Sequence, residues 1–338
     1  MIALLLFALS CKHADLAPAG VQCATAESHL VATEDGAAVH LHRHPADGPP
    51  VMVVHGISAN HRSWDLTPER SLAVALQAAG YDAWLLDLRG HGAAHVDTTG
   101  KEQRSGWTME DYGRYDIPAA IDHIRAETGA EKVGYVGHSM GGMVGAIYNS
   151  IHGDDALAAM VVVASPVDFG DPDRLLEVAS GLVRTTAVIR VVPAPAVSRM
   201  SQPLKQLPLH ADEMLWSESN MQDIEARNEM MRAVPSPMTR RELAELGGVL
   251  RSGALPAADA LSELSVPLRV IAGRADRVAP VDRVQPFYTR AGSLEKDYIL
   301  ASRSNGFAHD YGHVDLVLGD AAAAEIYPRI VEWFDGRW

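Results

Sequence analysis

Residues 133–141 read Val-Gly-Tyr-Val-Gly-His-Ser-Met-Gly and contain the pattern Gly-x-Ser-x-Gly, with Ser139 at its centre. The apolar run Val133–Val136 before the pattern is typical of a buried strand, and a helical pattern starts at Met140. A strand that turns this sharply into a helix leaves no room for side chains two positions before and after the serine. We therefore predict that Ser139 is a nucleophile lifted clear of a sheet. The alternative is a glycine-rich structural turn whose serine takes no part in chemistry.

Apolar runs like the one before Ser139 recur along the chain, at 51–54, 83–87, 160–164, 268–272 and 297–300. They lack polar alternation, which is typical of strands buried on both faces of a parallel sheet. Helical patterns alternate with them, at 71–79, 111–128, 140–152, 281–290 and 320–334. Nearer the N-terminus, residues 28–33 and 38–42 flank an Asp-Gly turn and predict a hairpin. The pattern as a whole predicts an α/β fold, a mostly parallel twisted sheet flanked by helices with right-handed crossovers.

A gap of about a hundred residues interrupts this alternation between Ala164 and Leu268. A structureless loop of that length is improbable in a compact domain, and the segment carries helical signals, prolines and apolar clusters. We predict a core formed by residues 29–165 and 264–338 and an inserted helical cap over 166–263. Three apolar side chains of the cap are candidates for substrate binding: Met214, Trp216 and Met231. The alternative is that they only pack the cap onto the sheet.

A serine hydroxyl becomes a good nucleophile only when a histidine takes its proton and a carboxylate orients that histidine. In proteins with this strand–elbow–helix arrangement the acid follows the serine and the histidine comes last. Asp276 follows the predicted strand 268–272, at a carboxyl end where active sites of open α/β sheets form. We predict Asp276 as the acid, with Asp168 as the alternative. His313, directly before a helical segment, is the predicted base, with His309 as the alternative.

The residues His55-Gly56-Ile57 close the predicted strand 51–54. The loop at this position supplies one donor of the oxyanion hole in proteins with this elbow, and the residue after the nucleophile supplies the other. We therefore expect the backbone N–H groups of Ile57 and Met140 to stabilise the oxygen that gains charge as Ser139 attacks.

Composition excludes several other functions. The 338 residues include 29 Lys and Arg against 43 Asp and Glu, a net charge of −14, and no basic run, so no nucleic-acid partner is expected. The 15 histidines form no His-Glu-x-x-His or similarly spaced motif, which argues against metal catalysis. Because no Gly-x-Gly-x-x-Gly follows the first parallel strand, nicotinamide and flavin cofactors are not expected either. We predict an enzyme without cofactors.

The first ten residues form an apolar run that ends at Cys11 and is too short to span a bilayer, which takes ~20 helical residues. Residues 1–10 therefore predict an export signal, and 11–28 a tether. Ala8-Leu-Ser-Cys11 resembles the box before the lipid-modified cysteine of bacterial lipoproteins, although Ala8 stands where leucine is usual. Membrane association through a lipid anchor at Cys11 is thus one expectation. Simple secretion, an incomplete signal, and a Cys11–Cys23 disulfide in an unlipidated chain are the alternatives.

Two longer stretches resemble the acid lipase family of lysosomal and gastric enzymes, within the α/β-hydrolase superfamily. One runs from Trp107 through Thr-Met-Glu-Asp-Tyr-Gly-Arg-Tyr to Asp122 and leads to the Gly-His-Ser139 elbow. The other is Tyr-Gly-His313-Val-Asp-Leu-Val-Leu-Gly319, similar to the family's segment around its catalytic histidine. Met140 departs from the family, which has glutamine there, and Gly142 completes a Gly-His-Ser-Met-Gly-Gly form common among monoacylglycerol lipases and small esterases.

The resemblance implies an α/β-hydrolase fold and a serine ester hydrolase, a lipase or carboxylesterase acting on small-molecule or lipid esters through an acyl-enzyme intermediate. An acyltransferase or thioesterase with the same three residues is the alternative enzyme. The alternative from another class is a binding protein on the same fold that has lost its chemistry, and the full set Ser139, Asp276 and His313 argues against it.

Overall fold

The computed structural model describes residues 26–103, 106–170 and 215–338, together with the backbone of residues 191–192. The predicted signal-like segment, Cys11, Cys23 and Met214 lie outside these residues. The main sheet has eight strands: β1 (Glu27–Ala32), β2 (Ala38–His44), β3 (Pro50–Val54), β4 (Asp82–Asp87), β5 (Val133–His138), β6 (Leu157–Val163), β7 (Leu268–Gly273) and β8 (Lys296–Ala301).

The strand order in this sheet is β1-β2-β4-β3-β5-β6-β7-β8. β1 pairs antiparallel with β2, and β2 pairs antiparallel with β4. All further pairs, from β4–β3 to β7–β8, are parallel. The predicted α/β fold with a mostly parallel sheet is therefore confirmed. The predicted hairpin is also present, and its turn closes through hydrogen bonds from Thr33 N–H to Ala37 O and from Gly36 N–H to Thr33 O.

Helices flank the sheet, and those predicted at 71–79, 140–152 and 281–290 begin and end within one residue of the predicted positions. The described helices are α1 (Leu72–Ala78), α2 (Ile117–Thr128), α3 (Met140–His152), α4 (Ile224–Ala233), α5 (Arg240–Ser252), α6 (Val281–Arg290), α7 (Asp315–Leu318), α8 (Ala322–Glu325) and α9 (Tyr327–Val331). A π-helical turn, Tyr112–Asp116, leads into α2. A short 3-10 segment, His61–Ser63, follows β3, and another, Pro256–Glu263, precedes β7. A third, Glu332–Phe334, follows α9.

The structure corrects two predictions. The predicted helix 320–334 is divided into α8, α9 and a final 3-10 turn. Pro328 lies at the start of α9, where its missing N–H cannot continue a helix from α8. β8 was expected to be buried on both faces, but its residues are mostly half-buried because it is the edge strand of the sheet.

The core is one apolar cluster that surrounds the central strands. β3, β4, β5 and β6 are buried along their whole length, as the predicted runs required. α4 and α5 lie in the segment predicted as a cap, and the division into core and cap stays a prediction. Within the described residues, no helix is both long and apolar enough to cross a membrane.

Candidate active site

Ser139 lies on a tight turn between β5 and α3. Its backbone angles are φ 53° and ψ −118°, a conformation that residues with side chains rarely adopt. A Cβ at Gly137 would lie 2.6 Å from Gly142 N, and a Cβ at Gly141 would lie 2.6 Å from Val54 O. Only glycine therefore fits at both positions, which is the steric reason for the Gly-x-Ser-x-Gly pattern.

The structure brings Ser139, His313 and Asp276 together in one chain of hydrogen bonds. His313 Nε2 lies 2.9 Å from Ser139 Oγ, and His313 Nδ1 lies 2.8 Å from Asp276 Oδ2. The three side chains are almost entirely shielded, with exposed fractions of 7%, 6% and 5% for the serine, histidine and aspartate. This arrangement allows a proton to move from the hydroxyl to the imidazole while the carboxylate holds the ring.

The loop after β7 fixes the carboxylate of Asp276. Asp276 Oδ1 accepts hydrogen bonds from the backbone N–H groups of Val278, at 2.8 Å, and Ala279, at 2.7 Å. Oδ2 is thereby left to face His313. Ala275 N–H donates to Tyr311 O over 2.8 Å and ties this loop to the one that carries the histidine.

The two alternative residues from the sequence lie in other surroundings. Asp168 accepts a hydrogen bond from Arg290 Nη2 over 2.6 Å, an ion pair with α6. His309 Nδ1 lies 3.1 Å from Ser219 Oγ. Neither of these contacts leads to the serine of the elbow.

Asp315 organises the turn that carries His313. Its Oδ1 accepts hydrogen bonds from the N–H groups of Gly312, at 2.9 Å, and Ser217, at 3.1 Å. Its Oδ2 accepts from Asn220 Nδ2 over 3.1 Å. Asp315 thus connects the histidine turn to the segment after Leu215. The His-x-Asp pattern marked this residue in the sequence, but the pattern alone does not reveal its hydrogen-bond partners.

His138 is the first x of the Gly-x-Ser-x-Gly pattern, and it also contacts His313. Its Nε2 lies 3.2 Å from the backbone oxygen of His313, and the two rings are 4.8 Å apart. Complete burial lowers the pKa of His138 well below its usual range, so the ring is neutral. Protonated at Nε2, it donates to that oxygen and holds the histidine turn. A variable position in the motif gave no signal for this contact.

The loop after β3 passes directly beside the elbow. A Cβ at Gly56 would lie 3.2 Å from Ser139 Cβ, so the backbone there approaches the serine closely. Ile57 follows in the same loop and lines the same cavity as Ser139. Met140 is the first residue of α3, and N–H groups in the first turn of a helix have no acceptor within the helix. The assignment of these two N–H groups to an oxyanion hole stays a prediction.

An apolar cavity of about 240 Å³ leads to Ser139 and His313. Its lining comes from the loop after β3, from α4, from the residues around Leu215 and from α7, and it includes Ile57, Trp216, Met230, Met231, Val234 and Val317. The structure thus places two of the three predicted substrate-binding residues, Trp216 and Met231, at this cavity. Val234 and Val317 were not predicted at the cavity, because an aliphatic residue in a helical segment or at its end is usually an ordinary core residue.

Comparisons with known proteins find lipases that are similar to part of this chain. Lipase 3 of Drosophila melanogaster is 37% identical over 127 residues, which cover 34% of this chain and 32% of the relative. Human gastric triacylglycerol lipase is 34% identical over 134 residues, which cover 36% of this chain and 34% of the relative. The chain thus spans about a third of the length of these curated relatives.

A solved esterase, EaEST from Exiguobacterium antarcticum, superposes with a TM-score of 0.64. It is 16% identical, and the match covers 91% of this chain and 99% of the esterase. At that identity the likeness shows the fold alone. The model of the family described as the alpha/beta hydrolase fold matches residues 49–301. The chain therefore belongs to the α/β-hydrolase fold family.

Proposed function

We propose that this protein is a serine ester hydrolase of the lipase and carboxylesterase type, with Ser139 as nucleophile, His313 as general base and Asp276 as the orienting acid. The observation that carries the proposal is the hydrogen-bonded chain from Ser139 Oγ through both nitrogens of His313 to Asp276 Oδ2, at the end of an apolar cavity. The lipase relatives support an ester as substrate.

The first half of the reaction acylates the serine. Ser139 Oγ attacks the ester carbonyl carbon while His313 Nε2 takes the hydroxyl proton, and Asp276 stabilises the imidazolium that forms. The N–H groups of Ile57 and Met140 donate to the oxygen that becomes negative. His313 then gives its proton to the leaving alkoxide, so an alcohol departs and the acyl group stays on Ser139.

The second half releases the acid. Water attacks the acyl-enzyme carbonyl, and His313 Nε2 takes a proton from that water. Collapse of the second tetrahedral intermediate breaks the bond to Ser139 Oγ, which regains the proton from His313. The carboxylic acid leaves, and the hydrogen-bonded chain is restored.

We further propose that the cavity holds the acyl chain and that the cap segment determines its preferred length. Trp216 from the segment after Leu215 and Met230 and Met231 from α4 contribute flexible apolar surface to the wall. Methionine side chains adapt to acyl chains of different shape, and an apolar wall favours a hydrocarbon over a charged group.

An acyltransferase or a thioesterase would share the acylation half and differ in the acceptor or the leaving group. Product analysis with a primary alcohol added to the reaction distinguishes transfer from hydrolysis. We expect free acid as the main product. A dominant transesterified product would identify an acyltransferase instead.

For the location of the protein, we propose export with a diacyl anchor at Cys11, on the basis of the Ala8-Leu-Ser-Cys pattern. Two acyl chains anchor a protein stably, whereas one does so only marginally. Mass spectrometry of the protein from its native host tests this. A lipid mass on an N-terminal Cys11 is expected, and an unmodified Cys11 would contradict the anchor.

The direct test of the function is hydrolysis of p-nitrophenyl esters from acetate to palmitate by the wild type and by Ser139→Ala. We expect turnover by the wild type and a loss of at least about 1,000-fold in the variant, because the remaining groups provide no nucleophile. If the variant kept more than a tenth of wild-type turnover, the nucleophile would be another group.

A further inference from the structure

Two histidines and a carboxylate share one face of the sheet at its antiparallel side. His40 and His42 are two residues apart on β2, so both side chains lie on the same face. Asp87, the last residue of β4, pairs directly with His40 in the antiparallel register. Residues directly opposite each other in a ladder project to the same side. Three potential ligand side chains are thus brought together by strand pairing alone.

The ligand atoms of this group lie close together. One atom from each of His40, His42 and Asp87 can be chosen so that all three lie within 4.8 Å of one another. His42 Nε2 lies 3.1 Å from Asp87 Oδ2. His61, from the 3-10 segment after β3, places its Nδ1 3.0 Å from the same oxygen, and its ring stacks on His42 with centroids 3.6 Å apart.

His40 has a nitrogen without a partner. Its Nδ1 is shielded from solvent and makes no hydrogen bond, whereas its Nε2 lies 3.0 Å from Ser28 Oγ. If Nε2 carries the proton and donates it to the serine, the lone pair of Nδ1 is free. Metal-binding histidines have this arrangement, with one nitrogen on the metal and the other N–H donated to an oxygen.

The carboxylate is also oriented in advance. Asp87 is completely buried and accepts backbone hydrogen bonds from His61 N–H at Oδ1, over 2.7 Å, and from Ala93 N–H at Oδ2, over 2.8 Å. Imidazole nitrogens with a carboxylate oxygen are ligands that Zn²⁺ prefers, in tetrahedral sites with distances of roughly 2.0–2.2 Å. Such distances separate neighbouring ligand atoms by roughly 3.3 Å. The pair His42–Asp87 already has this spacing, and the third residue, His40, has a ligand atom within 4.8 Å of both.

We propose that His40, His42 and Asp87 form a structural site for a divalent transition-metal ion of the zinc class, with His61 as the fourth ligand. The site is separate from the Ser139 cluster, and the proposal does not depend on the proposed function. An ion there would join β2, β4 and the loop after β3. Because Ile57 lies on that loop four residues before His61, the ion would also restrain the loop beside the nucleophile.

The test is zinc binding by the full-length chain without an affinity tag. The protein is stripped with EDTA, exchanged into buffer and titrated with ZnCl₂ against a chromophoric chelator, with zinc content measured after gel filtration. We expect about one zinc ion per chain and an increase in thermal midpoint on binding. His40→Ala and His42→Ala should each weaken binding at least tenfold, whereas the exposed control His152→Ala should bind like the wild type.

Two results would overturn the proposal. One is a wild-type chain that retains no zinc after titration. The other is binding by His40→Ala and His42→Ala that equals the wild type, which would assign the ion to other residues. Ser28→Ala provides a second variant that leaves every proposed ligand in place. Removing the oxygen beside His40 Nε2 should reduce affinity about tenfold, and unchanged affinity would contradict the arrangement at His40.

Discussion

Ser139 combines an unfavourable backbone conformation with a reactive position. A positive φ at a residue with a side chain costs of order 1–3 kcal/mol and persists only where the surrounding structure enforces it. Here the packing of β5 and α3 around Gly137 and Gly141 enforces it. The strained conformation gives the elbow the shape that places the Ser139 hydroxyl 2.9 Å from His313 Nε2.

At the residue scale, the comparison of two histidines tests the assignment of the base. His313→Ala removes the group that takes the serine proton, so we expect turnover of a p-nitrophenyl ester to fall at least about 1,000-fold. His309→Ala removes a side chain hydrogen-bonded to Ser219, and turnover should stay within about threefold of the wild type. An inactive His309→Ala beside an active His313→Ala would reverse the assignment.

The positions of the three central residues were predictable because each follows a strand that the apolar pattern reveals. Residues after the carboxyl ends of parallel strands meet at one edge of the sheet, which brings together Ser139, Asp276 and His313 despite their separation in sequence. The supporting residues were less predictable. His138 acts through a contact with a backbone oxygen, which no residue spacing encodes. Asp315 accepts three hydrogen bonds, and the His-x-Asp pattern marks this residue without revealing those partners.

At the scale of elements, the packing of α3 against β3 depends on a glycine. A Cβ at Gly141 would collide with the backbone oxygens of Val54 and His55, so Gly141→Ala should lower the free energy of unfolding by about 1–3 kcal/mol. The control Gly248→Ala lies in the interior of α5 with no neighbouring atom closer than 4.0 Å. It should raise stability by about 0.5–1 kcal/mol, since alanine is the better helix former. Urea denaturation of both variants measures this, and equal effects would contradict the close contact.

The cavity wall on α4 provides a second test at this scale. Met231 lines the cavity, so Met231→Ala enlarges it and should move the preferred p-nitrophenyl ester towards longer acyl chains. Met231→Trp should move the preference towards shorter ones. Ile224→Ala, an exposed position on the same helix outside the cavity lining, is the matched control. Identical chain-length profiles in all four proteins would mean that Met231 only packs the cap segment.

Local sequence patterns predicted the helices and strands best where those elements are completely buried. The central strands and α3 and α6 were predicted within a few residues because unbroken apolar runs and helical periodicity leave little ambiguity. The edge strand β8 looks the same in sequence as a central strand, and its partial exposure follows only from its place in the sheet. The break before α9 follows from Pro328, which the prediction of one helix over 320–334 did not take into account.

At the scale of the whole molecule, buried histidines make stability depend on pH. Burial lowers the pKa of His55 to about 3 and that of His138 well below its usual range, whereas both titrate near 6.5 in the unfolded chain. Below pH 6.5 the unfolded chain binds protons that the folded chain does not. The contribution of these two rings to stability is therefore fully present above pH 6.5 and declines as the pH falls towards the folded pKa values.

This decline is measurable by urea denaturation at pH 7.5 and pH 5. Each such histidine lowers the free energy of unfolding by about 1.4 kcal/mol per pH unit below pH 6.5, which amounts to about 2 kcal/mol at pH 5. In His55→Gln the stability at pH 5 relative to pH 7.5 should therefore rise by about 2 kcal/mol compared with the wild type. An unchanged pH dependence in His55→Gln would contradict the lowered pKa of His55.

The central claim is that the elbow serine is the nucleophile, and covalent labelling tests it most directly. A p-nitrophenyl alkylphosphonate reacts when a serine oxygen attacks phosphorus and p-nitrophenolate leaves, which gives a stable adduct that intact-mass measurement and peptide mapping can locate. The prediction is one adduct per chain, on the peptide that contains Ser139, with proportional loss of esterase activity and no labelling of Ser139→Ala. Inactivation with the adduct on a different residue, or ester turnover by a chain whose Ser139 stays unlabelled, would contradict it.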